Sequence, residues 1–311
     1  MKKHNHSGGR NYGYGKQMHY AAKQALVDRY GSDNKFGTQA SHHARFKQFA
    51  TWCKAQGIKD ARDLNQEIVV SYANSLSEKV EKEEMAISYA QNLISSVNVA
   101  LSAMRGDNNL KISPSNAVGV RSHTRENSPL SYDRSQYQLA LNELSTPESK
   151  MTLVFAREFG LRLREAGLFR PKEALVQYYR TGRIDIQRGV KGGRNAPREI
   201  AITPRQVALL ERAREVLGKA QCLVDKQGKY TDWKNSFYRE YQASGARDLI
   251  GKFHDNRAAF AREKVKELTG KEARVINPHT PLTKKEEYAA KAEIAAMLGH
   301  GRVDVVASYT G

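Results

Sequence analysis

Residues 89–107 read YAQNLISSVNVALSAMRGD. Tyr89, Leu93, Val97, Ala100, Leu101 and Met104 fall on one face at helical spacing. Gly106 and Asp107 close the run, as a left-handed turn after a last helical residue requires. A helix with one apolar stripe must bury it against a neighbour. Upstream, Val69, Tyr72, Ala73, Leu76 and Val80 repeat the pattern, with Asp63 and Gln66 placed as a helix-opening pair. Further upstream, residues 40–56 set Phe46, Phe49, Ala50 and Cys53 at helical spacing, and 20–31 form a weaker helix. The first third is therefore a small helical bundle, with Trp52 and Cys53 as core.

Working outward, residues 1–20 are rich in Gly, His, Asn and Tyr and have no apolar period, so a mobile arm is expected. Residues 107–130 lose periodicity and gather Asn, Ser, Pro114, Gly119 and Pro129, together with Arg121 and Arg125, which reads as a linker. Helical patterns resume at 133–144 and 147–169. Strand signals are confined to 174–179, 182–188 and 198–202, around a glycine-rich turn at 191–195. Helices return at 204–217, 234–243, 254–268 and 285–298. The expected class is mainly α with a small antiparallel β-sheet.

The 311 residues suit two domains. Lys plus Arg is 51 against 33 Asp plus Glu, a net charge of +18. The excess is not local: residues 1–130 carry +7 and 131–311 carry +11. Such a charge repels itself, and a polyanion relieves it, with nucleic acid the first candidate. No stretch approaches the roughly 18 apolar residues of a membrane-spanning helix. The basic start is not followed by an apolar core, so no secretory signal is expected. Only Cys53 and Cys222 are present, which excludes a disulfide framework and a cysteine-based zinc site, and fits a reducing cytoplasm.

Four segments carry the chemistry. They are Gly160-Leu161-Arg162-Leu163-Arg164-Glu165, Val190-Lys191-Gly192-Gly193-Arg194 with Arg198-Glu199-Ile200, His254-Asp255-Asn256-Arg257, and Leu298-Gly299-His300 with Tyr309 nine residues later. Singly, each has an ordinary explanation, such as a solvated helical arginine or an exposed turn lysine. In this order and spacing the set resembles the tyrosine recombinases, the phage-type integrases. Motifs carry the resemblance over 131–311, and only a compatible helical bundle carries it over 20–106.

The resemblance implies a flexible basic arm at 1–19, a helical core-binding domain at 20–106, a linker at 107–130 and a mixed α/β catalytic domain at 131–311. It implies site-specific DNA strand exchange through a 3′-phosphotyrosyl intermediate, as in integration or excision of a prophage or other mobile element. Tyr309 becomes the nucleophile and Arg162 and Arg257 the phosphate-gripping arginines. His300, Lys191 and His254 complete the catalytic set, and Glu165 supports the site. Arg121, Arg125 and Arg194 are expected DNA contacts. No cofactor and no metal are implied. The partners would be double-stranded DNA, further copies of the chain as a tetramer on DNA, and an accessory DNA-bending protein, all in the cytoplasm and without a membrane.

The residue types suit that chemistry. A tyrosine oxygen stores the cut bond as a phosphodiester. Guanidinium forks onto phosphate oxygens. His254 is the expected proton acceptor and Lys191, on its turn, the donor to the leaving 5′-hydroxyl. The family pattern is broken where Asp255 and Asn256 precede Arg257, and Arg164 competes with Arg162. Many relatives carry a helix beyond the tyrosine, whereas two residues follow Tyr309 here. A non-enzymatic DNA-binding protein on the same scaffold, or a type IB topoisomerase, are the other readings.

Overall fold

The computed structural model describes residues 8–190 and 198–311. Contacts divide the chain into two units, Met1–Ser122 and His123–Gly311.

In the first unit, α1 (Met18–Tyr30), α2 (Phe36–Ala55), α3 (Gln66–Glu81) and α4 (Ile87–Arg105) pack their stripes together, with a short α5 (Pro114–Val118) against α3 and α4. Phe46, Phe49, Cys53, Tyr72, Leu93, Val97, Leu101 and Met104 are buried. Phe49 meets Tyr72 edge-on at 5.0 Å. Tyr89, expected on the buried stripe, is 40% exposed at the helix start. Gly106 ends α4 at φ 82° as expected. The cap of α3 is Asn65, whose side chain accepts from Ile68 N, rather than Asp63.

Two expectations are corrected here. Residues 8–19 are packed, not part of a mobile arm. Asn11 is fully buried, donates its main-chain N–H to Asp60 Oδ1 at 2.8 Å and accepts from Ala61 N at 2.7 Å. Arg105 donates to the Tyr12 hydroxyl at 2.7 Å. These side-chain to backbone bonds add to the burial of Tyr14 and Met18 in the core of the first unit. The expected linker 107–130 is likewise divided. Leu110 and Val118 are buried in the first unit, and Asn98 exchanges two hydrogen bonds with Ile112. Residues from 123 onward belong to the second unit.

In the second unit, Asp133 caps α6 (Arg134–Glu143) and Thr146 caps α7 (Pro147–Phe159). The expected helix over 147–169 breaks at Gly160, at φ +63°, and restarts as α8 (Leu163–Leu168). The segment 174–179, expected as a strand, lies in α9 (Pro171–Thr181). Pro171 opens that helix, Ala174 and Leu175 face the core, and Gly182 closes it in the left-handed region. Val176 is the one β-branched residue there, too little to override these caps. Among the described residues the sheet is β1 (Arg183–Asp185) antiparallel to β2 (Glu199–Ala201), with Ile184 opposite Ile200.

Next come α10 (Pro204–Leu217), α11 (Tyr230–Ala243), α12 (Ala246–Ile250), α13 (Phe253–Thr269), α14 (Lys284–Met297) and α15 (Ala307–Thr310). α13 packs against α7, α14 and α15. One core centres on Phe155, Phe159, Phe169, Trp233, Phe237 and Phe253, and another on Phe260, Val265, Ile294, Leu298 and Tyr309. The class is thus mainly α with a small antiparallel sheet, as expected. No helix among the described residues is long and apolar enough to cross a membrane.

Candidate active site

Glu165 is the hub of the site and is fully buried. It sits in the first turn of α8 and accepts from the main-chain N–H of Arg162 at 2.8 Å, which caps that helix. Its other oxygen accepts from Arg162 Nη1 at 2.6 Å. Arg198 Nη1 donates to it at 3.0 Å, and Arg257 Nη1 stands 3.6 Å away. Burial opposes the charge on Glu165, but Arg198, Arg257 and Arg162 overcome it and hold the carboxyl down at about 2. Three guanidiniums around one carboxylate leave a surplus of two positive charges among these four residues, which suits an anionic ligand.

Arg257, on the second turn of α13, is fully buried. It donates to the main-chain oxygens of Gly160 and, at 2.5 Å, of Leu298. Its third nitrogen, Nε, donates to the Tyr309 hydroxyl at 3.4 Å, and the guanidinium lies 5.8 Å from the centre of the Tyr309 ring. Burial, then Arg198 and Arg162, lower the Arg257 pKa to about 10, so it stays charged at neutral pH. Gly160 makes this seat possible. A Cβ on it would lie 2.6 Å from Phe260 and 2.8 Å from Leu298, and its φ is positive. Gly160→Ala should therefore cost about 2–5 kcal/mol in urea titration, combining overpacking with a left-handed alanine. A loss under about 1 kcal/mol would contradict this packing.

His300 follows α14, and Tyr309 lies in α15. His300 Nε2 is 3.2 Å from the Tyr309 hydroxyl and 3.3 Å from Arg257 Nη2. A guanidinium only donates, so the Nδ1-protonated tautomer of His300 satisfies both contacts. The chain of donors then runs from Arg257 Nε–H to the tyrosine oxygen, and from the tyrosine O–H to His300. Burial, then Arg257, Arg162 and Arg198, push the His300 pKa down to about 3. His254, on α13, packs its ring at a 50° tilt to that of Tyr309, with a centroid distance of 5.6 Å. Burial, Arg257 and Arg162 lower its pKa to about 4, although its outer edge is open to solvent and tempers the desolvation. The hydroxyl thus hydrogen-bonds with His300, whereas His254 was the expected proton acceptor.

These shifts carry a pH signature. Both folded histidine values lie below the unfolded value of about 6.5. The stability tied to the neutral rings is complete above that unfolded value and is lost as pH falls through the folded values. Glu165, held down to about 2, acts in the same direction at still lower pH. The free energy of unfolding should therefore fall between pH 6.5 and 4, and less so in His300→Gln. Parallel profiles for the two proteins in urea titrations across that window would contradict the buried neutral imidazole.

The structure thus brings Arg162, Glu165, His254, Arg257, His300 and Tyr309 together. Lys191 and Arg194 lie outside the described residues. Arg121 belongs to the first unit. Arg125, an expected DNA contact, binds Asp255 at 2.8 Å and the Asn127 oxygen. Asp255, the departure from the family pattern, also caps α13 through Lys252 N. Arg164 is turned away from the site, with its guanidinium 5.9 Å from the Tyr230 ring centre. Arg162 and Arg164 do not share a helix face, because Arg162 is the extended cap residue before α8.

Arg198 was quoted with its segment but given no role, and Arg262 was missed. Arg198 is 2% exposed and also donates to the Met297 oxygen at 2.6 Å. Its signal was the period of two, which puts it on the same face as buried Ile200 and Ile202. Arg262 is fully buried, and its signal was a cation on the apolar face of α13, one turn from Ala258 and Val265.

No family description and no curated protein matches the chain. Solved structures do. A lambda integrase (75–356) dimer bound to a COC′ core site aligns with TM-score 0.56 at 15% identity, covering 93% of this chain and 95% of that one. A lambda integrase dimer bound to a COC′ core site gives 0.55 at 14%, covering 93% and 77%. A lambda integrase tetramer bound to a Holliday junction gives 0.50 at 15%, covering 90% and 74%. At these identities the likeness is one of fold.

Proposed function

We propose, from the premise that the chain has the tyrosine-recombinase fold, that it is a site-specific DNA recombinase acting through a 3′-phosphotyrosyl intermediate in the integration or excision of a mobile element. The observation that carries the reading is the Tyr309 hydroxyl, 3.2 Å from His300 Nε2 and 3.4 Å from Arg257 Nε within one unit. Attack by this oxygen forms the bond to phosphorus, and the bond from phosphorus to the 5′-oxygen breaks. His300, neutral at working pH, takes the phenolic proton once the phosphate anion offsets the charges of Arg257, Arg162 and Arg198 that depress its basicity. Arg257 holds the oxygen and stabilises charge developing there. Arg162, whose side chain is 24% exposed, is the arginine open to a phosphate oxygen. Lys191 supplies the proton to the departing 5′-hydroxyl. No energy input is needed, since the phosphotyrosine conserves the bond for rejoining.

The proposed partners are double-stranded DNA, other copies of the chain in a tetramer on that DNA, and an accessory DNA-bending protein. The net charge of +18 supports the first. The test is incubation with supercoiled plasmids carrying the DNA that flanks the gene. Recombinant products are expected. Relaxation without recombinants would indicate a topoisomerase, and binding without cleavage a scaffold protein.

The role of Lys191 has its own test. Lys191→Ala should slow cleavage of an ordinary phosphodiester strongly, yet cleave a bridging 5′-phosphorothiolate at nearly the wild-type rate. A sulfur leaving group needs no such proton. Equal defects on both substrates would reject the acid role.

A further inference from the structure

α15 has only four residues; along the chain Gly311 N donates to Ala307 O at 3.1 Å, and the carbonyls of Tyr309 and Thr310 lie beyond the reach of a longer helix. Outside donors serve all three. Arg125 N donates to Ala307 O at 3.0 Å and Val275 N to Thr310 O at 3.2 Å. The carbonyl of Tyr309 itself accepts from Arg262 Nε at 2.9 Å. The other two nitrogens of Arg262 donate to Ser128 Oγ at 3.2 Å and Asn127 O at 3.1 Å. One buried guanidinium therefore joins the main chain of Tyr309 to the segment that leads into the second unit.

The chemistry of this residue is unusual among the buried arginines of the second unit. Arg157, equally buried, has the Glu263 carboxylate as its partner. The three acceptors of Arg262 are all neutral. Burial, followed by Arg125, accordingly pushes its pKa down to about 9. A buried cation on neutral acceptors is costly to stability, and an apolar side chain would pack on this face at lower cost. What the guanidinium supplies instead is geometry: three donors in a rigid plane that fix two segments against each other.

We propose that Arg262 is a positioning residue, which holds Tyr309 over Arg257 and His300 of its own chain by tying the Tyr309 carbonyl to Asn127–Ser128. The inference rests on the reading of Tyr309 as nucleophile. Its consequence is that the leading segment of the unit and the nucleophile move together. Loosening residues 127–128 loosens Tyr309, with no change in any group that touches the phosphate.

The experiment uses the full-length protein and three variants, Arg262→Met, Arg262→Lys and Ser128→Ala. Amide hydrogen exchange is measured first without DNA, by mass spectrometry of peptides. Adduct formation is then measured in single turnover, with saturating nicked duplexes drawn from the DNA flanking the gene. Exchange in the peptide covering 303–311 should quicken in Arg262→Met and less in Arg262→Lys. The adduct rate should fall about 10–100-fold in Arg262→Met. It should recover in part in Arg262→Lys, with DNA affinity within about twofold throughout. Ser128→Ala, which spares the Tyr309 bond, should slow the adduct about threefold. It keeps the test open should Arg262→Met fail to fold. Unchanged exchange at 303–311 in Arg262→Lys and Ser128→Ala would overturn the inference, as would faster exchange with an unchanged adduct rate. A wild-type protein that forms no adduct would overturn the reading of Tyr309 and the positioning role with it.

Discussion

Tyr309→Phe is expected to form no covalent complex with a nicked suicide duplex, while binding that duplex as the wild type does. The argument is local. The ring of Tyr309 is 5% exposed and packs with Phe260, Leu298 and Val306, so phenylalanine keeps the packing. The hydroxyl alone meets His300 Nε2 and Arg257 Nε. Its removal deletes the nucleophile and leaves the phosphate-gripping charges in place. Activity should fall by at least about four orders of magnitude, as when a nucleophile is removed from a preorganised site. The melting temperature should stay within a few degrees, since the hydrogen bonds of one hydroxyl contribute about 1 kcal/mol. A denaturation-resistant adduct in Tyr309→Phe would refute the assignment.

The second large effect separates two arginines that lie two positions apart. Arg162→Ala should slow cleavage by about two to four orders of magnitude, because it removes a charged donor to the phosphate and a partner of Glu165. Arg164→Ala should change the rate by less than about threefold, because its guanidinium rests on the Tyr230 ring instead. The same pair should differ in charge logic. Without Arg162, Glu165 keeps Arg198 and Arg257, and its carboxyl remains ionised. The defect of Arg162→Ala is therefore expected in the chemical step more than in folding. If Arg164→Ala were the inactive variant, the alignment of the motif with the site would be wrong by two residues.

Much of this was legible in the sequence, for identifiable reasons. The stripe from Leu93 to Met104 and its Gly106 stop became α4, because period and cap agree. The cluster of Arg162, Glu165, Arg257, His300 and Tyr309 followed from motif order, since spacing within each motif fixes local geometry. The failures have physical causes too. Residues 174–179 were misread because a strand pattern of six residues cannot be told from a helix turn without weighing Pro171 and Gly182 as caps. Residues 8–19 were misread because Asn11 is anchored by polar bonds that leave no hydrophobic period. The hydrogen bond from Tyr309 to His300 was not foreseen because nothing in the spacing of His254 and His300 says which nitrogen meets the hydroxyl. Arg198 was left without a role and Arg262 was overlooked because each is a cation on an apolar face, paired only through residues distant in sequence: Glu165 and Met297 for one, Asn127, Ser128 and Tyr309 for the other.

The measurement that tests the central claim most directly is peptide mapping of the wild-type adduct. The protein is trapped on a nicked duplex from the DNA flanking its gene, digested, and the nucleotide-bearing peptide is sequenced by mass spectrometry. The expected result is a 3′-phosphate joined to the oxygen of Tyr309. DNA joined to any other residue, or cleavage that leaves no protein on the DNA, would contradict the account.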